Sequence, residues 1–191
     1  MEVQRLAEGL WRWIARHPTL EDPALGTDVG SVYVETEDAV VLIDPLVPPK
    51  PEERDRFLSA LDGDVARLGR PVAILLTCEW HRRSADELRG RYATTAEQPR
   101  QIVSYPIADD EDVFWLDAHR AVVAGDALLG LGALRRCPDE WLAERGGSAR
   151  LVTTLAELVE LEPELVLPSH GEVVTRDATR ALAAAIDAPL E

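Results

Sequence analysis

The feature that most constrains this chain is the run Val72-Ala73-Ile74-Leu75-Leu76-Thr77, apolar throughout, of strand length, and broken off at Cys78-Glu79-Trp80-His81-Arg82-Arg83. A continuous apolar run of this length, rich in branched residues, is the pattern of a strand covered on both faces, as in a parallel sheet. The residues after it, Ser84-Ala85-Asp86-Glu87, have the form of a capping box. Ser84 is placed to accept from the third helical amide and Glu87 to reach back, so a helix is expected to run to about residue 92. The six residues from Cys78 to Arg83 are therefore a loop between a buried strand and a helix.

The rest of the chain repeats this alternation. Leu10-Trp11-Arg12-Trp13-Ile14 is an aromatic strand; Ser31-Val32-Tyr33-Val34-Glu35 and Ala39-Val40-Val41-Leu42-Ile43-Asp44 form a hairpin about Thr36-Glu37-Asp38. Pro51 at a first helical position opens a helix over residues 52–61. A second hairpin pairs Val113-Phe114-Trp115-Leu116 with Arg120-Ala121-Val122-Val123-Ala124 and leads into Gly125-Asp126. A helix is expected near residues 138–144 and another over 148–161, where Leu151, Leu155, Leu158 and Val159 line one face. Glu164-Leu165-Val166-Leu167-Pro168 is a short strand delivering Ser169-His170-Gly171, and a last helix covers residues 177–186. Hairpin-rich sheet halves, each followed by helices, predict an α/β fold of two sheets packed face to face between helices, a four-layer αββα sandwich. At 191 residues it is expected to be a single domain over 1–191.

Composition narrows the functional classes. A net charge of −15 repels phosphate backbones and anionic lipid, and the sequence holds no basic patch, so neither a nucleic acid nor a membrane surface is an expected partner. No apolar run approaches the roughly 20 residues that span a bilayer. Met1-Glu2-Val3-Gln4-Arg5 lacks the basic end and apolar block of a signal peptide, so a soluble, cytoplasmic chain is expected. In that reducing compartment Cys78 and Cys137 are expected to be free thiols.

The order of four landmarks, Leu42-Ile43-Asp44, the loop after Thr77, Gly125-Asp126 and His170-Gly171, resembles the metallo-β-lactamase family over residues 9–174. In that family a hairpin ends in aspartate, a buried strand ends in a Thr-His-x-His-x-Asp-His loop, a later hairpin ends in Gly-Asp, and a final strand ends in His-Gly. The resemblance implies a metallo-β-lactamase-like fold and a cleft on which Asp44, Cys78, Trp80, His81, Arg82, Arg83, Asp126 and His170 converge. It also exposes a departure. With Thr77 on the family threonine, Cys78 and Trp80 fall on the first two histidines, and Arg82 and Arg83 on the aspartate and histidine of the second metal position. The remaining family histidine falls near Ile107, where there is none.

A hydrolytic zinc takes about three protein ligands and one open position for water. The indole N–H of Trp80 only donates, and Arg82 and Arg83 stay protonated with no lone pair to offer. A guanidinium about 5 Å from a dication at an effective dielectric of 20 costs roughly 6–7 kcal/mol, about half the ~10–16 kcal/mol of a good structural zinc site. No cofactor is therefore expected, and the chain reads as a family member with a degraded metal site, its cleft kept for a small molecule or a protein partner. The alternative is a hydrolase of an ester, thioester or lactam-like substrate, with one zinc, iron or manganese ion on Cys78, Asp126 and His170. Nucleophilic catalysis by Cys78 with His81 or His170 as base, and a purely structural homodimer, are further readings.

Three orientations are left to the structure. His81 can face the old site or solvent. Trp80 is expected to fill space that metal and substrate occupy in the family. One of Arg82 and Arg83 is expected to turn inward and stand in for the metal, bonding Asp126 and also Asp44; the plainer alternative pairs both at the surface with Glu79 or Asp86.

Overall fold

The computed structural model describes residues 1–142 and 147–188. The chain forms two compact units: one of residues 1–76 and 80–101, the other of residues 77–79 and 102–191.

The first unit is built on a six-stranded sheet in sequential order. Strands β1 (Glu2–Ala7), β2 (Leu10–Arg16), β3 (Asp28–Glu35) and β4 (Val40–Ile43) form an antiparallel meander. Helix α1 (Pro51–Leu68) then crosses over, so that β5 (Val72–Leu75) lies parallel to β4; helix α2 (Ala85–Arg91) leads in turn to the short β6 (Thr94–Thr95) beside β5. Pro51 opens α1 as expected. The helix runs about two turns past the expected end because Leu61, Val65 and Leu68 continue its apolar face onto the sheet, outweighing the cost of Gly63 in its interior. Its face packs on Trp13, Tyr33, Val40 and Leu42.

The capping box is not used. Ser84 makes no side-chain cap to α2; its Oγ accepts instead from the Val47 amide at 2.9 Å, and Glu87 pairs with Arg54 of α1. Both groups have partners from α1 and the loop before it, and these prevail over the local cap.

The second unit has a four-stranded sheet in the order β12-β9-β8-β7. Strand β7 (Ile102–Ala108) pairs antiparallel with β8 (Glu111–Leu116), β8 with β9 (Ala121–Gly125), and β12 (Leu165–Pro168) runs parallel to β9. The two-residue strands β10 (Leu128–Leu129) and β11 (Arg135–Arg136) form a small ribbon. Helices α3 (Gly147–Glu160) and α4 (Ala178–Asp187) cover a core that includes Ile107, Val113, Val122, Leu155, Leu158, Val166 and Leu182. The helix expected near 138–144 is a single 3₁₀ turn at Asp139–Trp141 as far as the described residues reach; residues 143–146 lie outside them.

β1 and β7 are strands that periodicity does not announce. Both are the first or last strand of their sheet, the position where polar residues and a proline such as Pro106 are tolerated, because one side of the backbone needs no ladder partner. The register of β7 slips between Pro106 and Ala108.

Leu155 is fully buried while Thr153 is exposed on the same helix. Leu155→Ala should therefore cost about 2–5 kcal/mol in urea unfolding, with Thr153→Ala leaving the midpoint in place; equal midpoints for the two would contradict the packing of α3.

Candidate functional site

In the first unit the site is organised by Asp44, the residue after β4. Its backbone is left-handed (φ 51°), a conformation aspartate accepts more readily than most residues. Its amide donates to Leu75 O (3.0 Å), extending the β4–β5 pairing by one step. Its carbonyl accepts from Ser31 Oγ (2.7 Å) and from Arg83 Nη1 (3.1 Å). Ser31 Oγ in turn accepts from the Leu46 amide (3.1 Å), so one hydroxyl ties both sides of the turn that follows β4. The Asp44 carboxylate, buried, lies 3.0 Å from Nδ1 of the equally buried His81. A carboxylate accepts only, so Nδ1 carries the proton in this contact. His81 is thus the inward residue of the 3₁₀ turn Glu79–Arg82.

Its neighbours divide as helical geometry requires. Trp80 is 58 % exposed, so the expectation that its indole fills the old metal space is corrected: with His81 turned in, the residue before it turns out. Arg82 lies at the surface in a two-pronged pair with Asp86, Nε to Oδ2 at 2.8 Å and Nη2 to Oδ1 at 3.2 Å, and these bonds hold the Asp86 carboxyl below its usual range. Arg83 turns in, its Nη1 reaching Gly30 O (3.2 Å) as well as Asp44 O. Arg82 follows the surface alternative; Arg83 turns inward as expected, but these two bonds go to the main-chain carbonyls of Gly30 and Asp44 and not to a carboxylate.

Two residues that sequence reasoning passed over belong to this unit's site. Arg12 on β2 is only 1 % exposed, and a Cβ placed on Gly30 would lie 2.4 Å from its Nε and 2.6 Å from its Nη2. Gly30 stands opposite Ile14 in the ladder, so the missing side chain is the space that admits the Arg12 guanidinium. A glycine inside a strand is the signal that would have found it. Ser31 is the other.

In the second unit Thr77 O accepts from the Asp112 amide (2.8 Å), and buried Cys78 forms an isolated bridge with Glu111. Glu111, 4 % exposed, is a buried acid that its acidic sequence surroundings concealed. Gly125 has φ 55°, and a Cβ there would lie 2.3 Å from Thr77 Oγ1, so the Gly-Asp landmark is a requirement of both backbone and packing. Asp126 follows, its Oδ1 3.6 Å from Nε2 of buried His170, an electrostatic contact longer than a hydrogen bond. His170 lies two residues past β12, held where the Ser169 amide donates to Gly125 O (2.8 Å) and the Gly130 amide to His170 O (2.9 Å). The expected closeness of Asp126 and His170 is met. Cys137 is buried, and burial, with the charges of Glu111, Asp126 and Asp139, pushes its thiol up to about 12, which makes it inert at neutral pH. Both cysteines are free.

His17 and His119 lie at turns. His17 Nδ1 accepts from the amides of Thr19 (3.3 Å) and Leu20 (3.0 Å), and burial lowers the pKa of His119. Ile107, where the family places its remaining histidine, is fully buried in β7.

No protein-family model matches the sequence, and no curated protein does. Solved structures do match across nearly the whole chain. VMB-1 is 12 % identical at a TM-score of 0.60, over 97 % of this chain and 95 % of that one. A metallo-β-lactamase from Erythrobacter litoralis is 14 % identical at 0.58, over 97 % and 91 %; one from Pontibacter korlensis is 15 % identical at 0.51, over 98 % and 99 %. The chain has the metallo-β-lactamase fold.

Of the residues aligned with that family's metal positions, Trp80, Arg82 and Arg83 offer no lone pair to a zinc, and His81 holds Asp44 through Nδ1. Among the described residues no three His, Cys, Asp or Glu side chains are grouped to hold a metal ion. What the geometry does supply is an acid–imidazole pair in each unit, Asp44–His81 and Asp126–His170.

Two substitutions test this construction. Gly30→Ala should destabilise by about 1–3 kcal/mol, since buried Arg12 cannot withdraw from the new methyl group; an unchanged urea midpoint would show that it can. Arg83→Ala should cost about 1–3 kcal/mol for two charge-assisted bonds to main-chain oxygens, while Arg82→Ala leaves the melting temperature unchanged. The reverse ranking would mean the arginines have exchanged roles.

Proposed function

We propose that this is a metallo-β-lactamase-fold protein that performs no metal-dependent hydrolysis and keeps the former active-site positions for binding a small molecule or a protein partner. The observation that carries this reading is Arg83. At a position where the family supplies a metal ligand, a permanent cation bonds the Gly30 and Asp44 carbonyls, so a positive charge is built into the chain where the family recruits one from solution. Beside it the Asp44–His81 pair is fixed and buried, suited to meeting a polar or protonated group of a ligand. The reading places the protein in the cytoplasm, with free thiols; among the described residues no helix is long and apolar enough to cross a membrane.

Elemental analysis of protein purified without chelator tests this directly. Zinc, iron and manganese should each fall well below one equivalent. Near-stoichiometric metal that is lost in Cys78→Ala or His170→Ala would overturn the proposal in favour of a one-metal hydrolase on Cys78, Asp126 and His170. The double variant Arg82→Asp with Arg83→His should bind zinc more tightly than the parent in a competition assay with a chromophoric chelator.

A further inference from the structure

The first unit contains a cavity of about 340 Å³ between β1–β4 and α1, well within the size range of small-ligand sites. None of the residues discussed at the candidate site lines it. Its walls include Trp11, Trp13, Tyr33 and Phe57, and it reaches down to Leu42 and Leu61, both part of the core. Trp11 meets Tyr33 edge-on, with centroids 5.3 Å apart and planes at 77°; Trp13 meets Phe57 at 5.1 Å and 41°. Rings crossed in this way offer both faces and edges to the space between helix and sheet.

The chemistry of the lining is set by what its polar atoms already do. Trp13 Nε1 donates to Leu46 O at 2.8 Å, and Tyr33 donates its hydroxyl to Glu35 Oε1 at 3.1 Å. The two acids at the rim are also answered: Asp64 by Arg67 at 2.9 Å, Glu53 by the Met1 amino group at 3.0 Å and by Lys50 at 3.7 Å. Arg56 lines the cavity from an exposed position and donates its Nε to Glu52 O at 3.2 Å. A charged ligand would lose its hydration among the rings and meet only a solvent-screened charge at the rim. A neutral ring system loses little water and gains stacking on several rings.

We propose that this cavity is a binding site for a neutral, planar aromatic molecule of about two or three rings, separate from the positions of the former active site.

The probe for the test is N-phenyl-1-naphthylamine, a neutral aromatic dye that fluoresces in apolar surroundings, titrated into the intact chain. The expected result is saturable enhancement at one equivalent. Ala60 lines the cavity from an exposed position on α1, so Ala60→Trp fills the space without disturbing the core and should weaken binding about tenfold or more, whereas Arg83→Ala should leave it unchanged. Linear, unsaturable enhancement would overturn the proposal, as would an Ala60→Trp variant with parental circular dichroism and parental affinity. Indole ¹H–¹⁵N resonances give a readout that needs no variant: those of Trp11 and Trp13 should shift on addition of the dye. Shifts confined to Trp80, Trp115 or Trp141 would place the dye elsewhere, and shifts of Trp11 that follow protein concentration without dye would assign the cavity to a second copy of this chain; either result overturns the proposal.

Discussion

Much of the first unit's architecture at the site depends on a single carbonyl, that of Asp44. It receives the Ser31 hydroxyl from β3 and the Arg83 guanidinium from the turn before α2, while the same residue's amide binds the end of β5 and its carboxylate holds His81. One residue thus joins the antiparallel and parallel halves of the sheet to the loop that carries the family's metal motif. A left-handed aspartate at a strand end is costly unless its surroundings fix it; here four separate bonds do so.

Comparison of the two units separates what a landmark owes to chemistry from what it owes to the backbone. Gly125-Asp126 and His170-Gly171 survive, and in the second unit they are wound together: the Ser169 amide meets Gly125 O, and Thr77 presses on the face of Gly125 that a side chain would cover. Their persistence has a packing explanation that requires no ion. The Thr77 loop is mixed: Trp80 and Arg82 sit at the surface and carry no such constraint, whereas Cys78 is buried and Arg83 bonds main-chain carbonyls.

The sequence disclosed those parts of the molecule whose determinants are local or periodic. The hairpin ending at Asp44, the buried β5, the pairing of β8 with β9 and the faces of α3 and α4 all follow from alternation, turn residues and apolar spacing. It did not disclose the parts decided by distant partners. Ser84 and Glu87 satisfy a capping pattern but serve Val47 and Arg54. Arg12 reads as the polar residue of a half-exposed strand, yet it is buried against a glycine on the neighbouring strand. Glu111 looks like one more member of an acidic turn and is instead the buried start of β8. At the site, the choice between Arg82 and Arg83 rested on the handedness of a single turn, which no periodicity encodes.

The strands that begin or end each sheet bear on how copies of this chain behave toward one another. β1 carries Glu2, Gln4 and Arg5, β6 is only two residues long, β7 carries Pro106 beside a break in register, and β12 ends in Pro168 with Val166 already bridged to Val174. Each is a poor template: a charge must be stripped of water, a ladder is too short, or an amide is missing. With a net charge of −15 adding repulsion at every approach, the chain is protected against zipping strand to strand into fibrils. That protection would matter most while the protein is being made, when these strands are uncovered before the helices have settled.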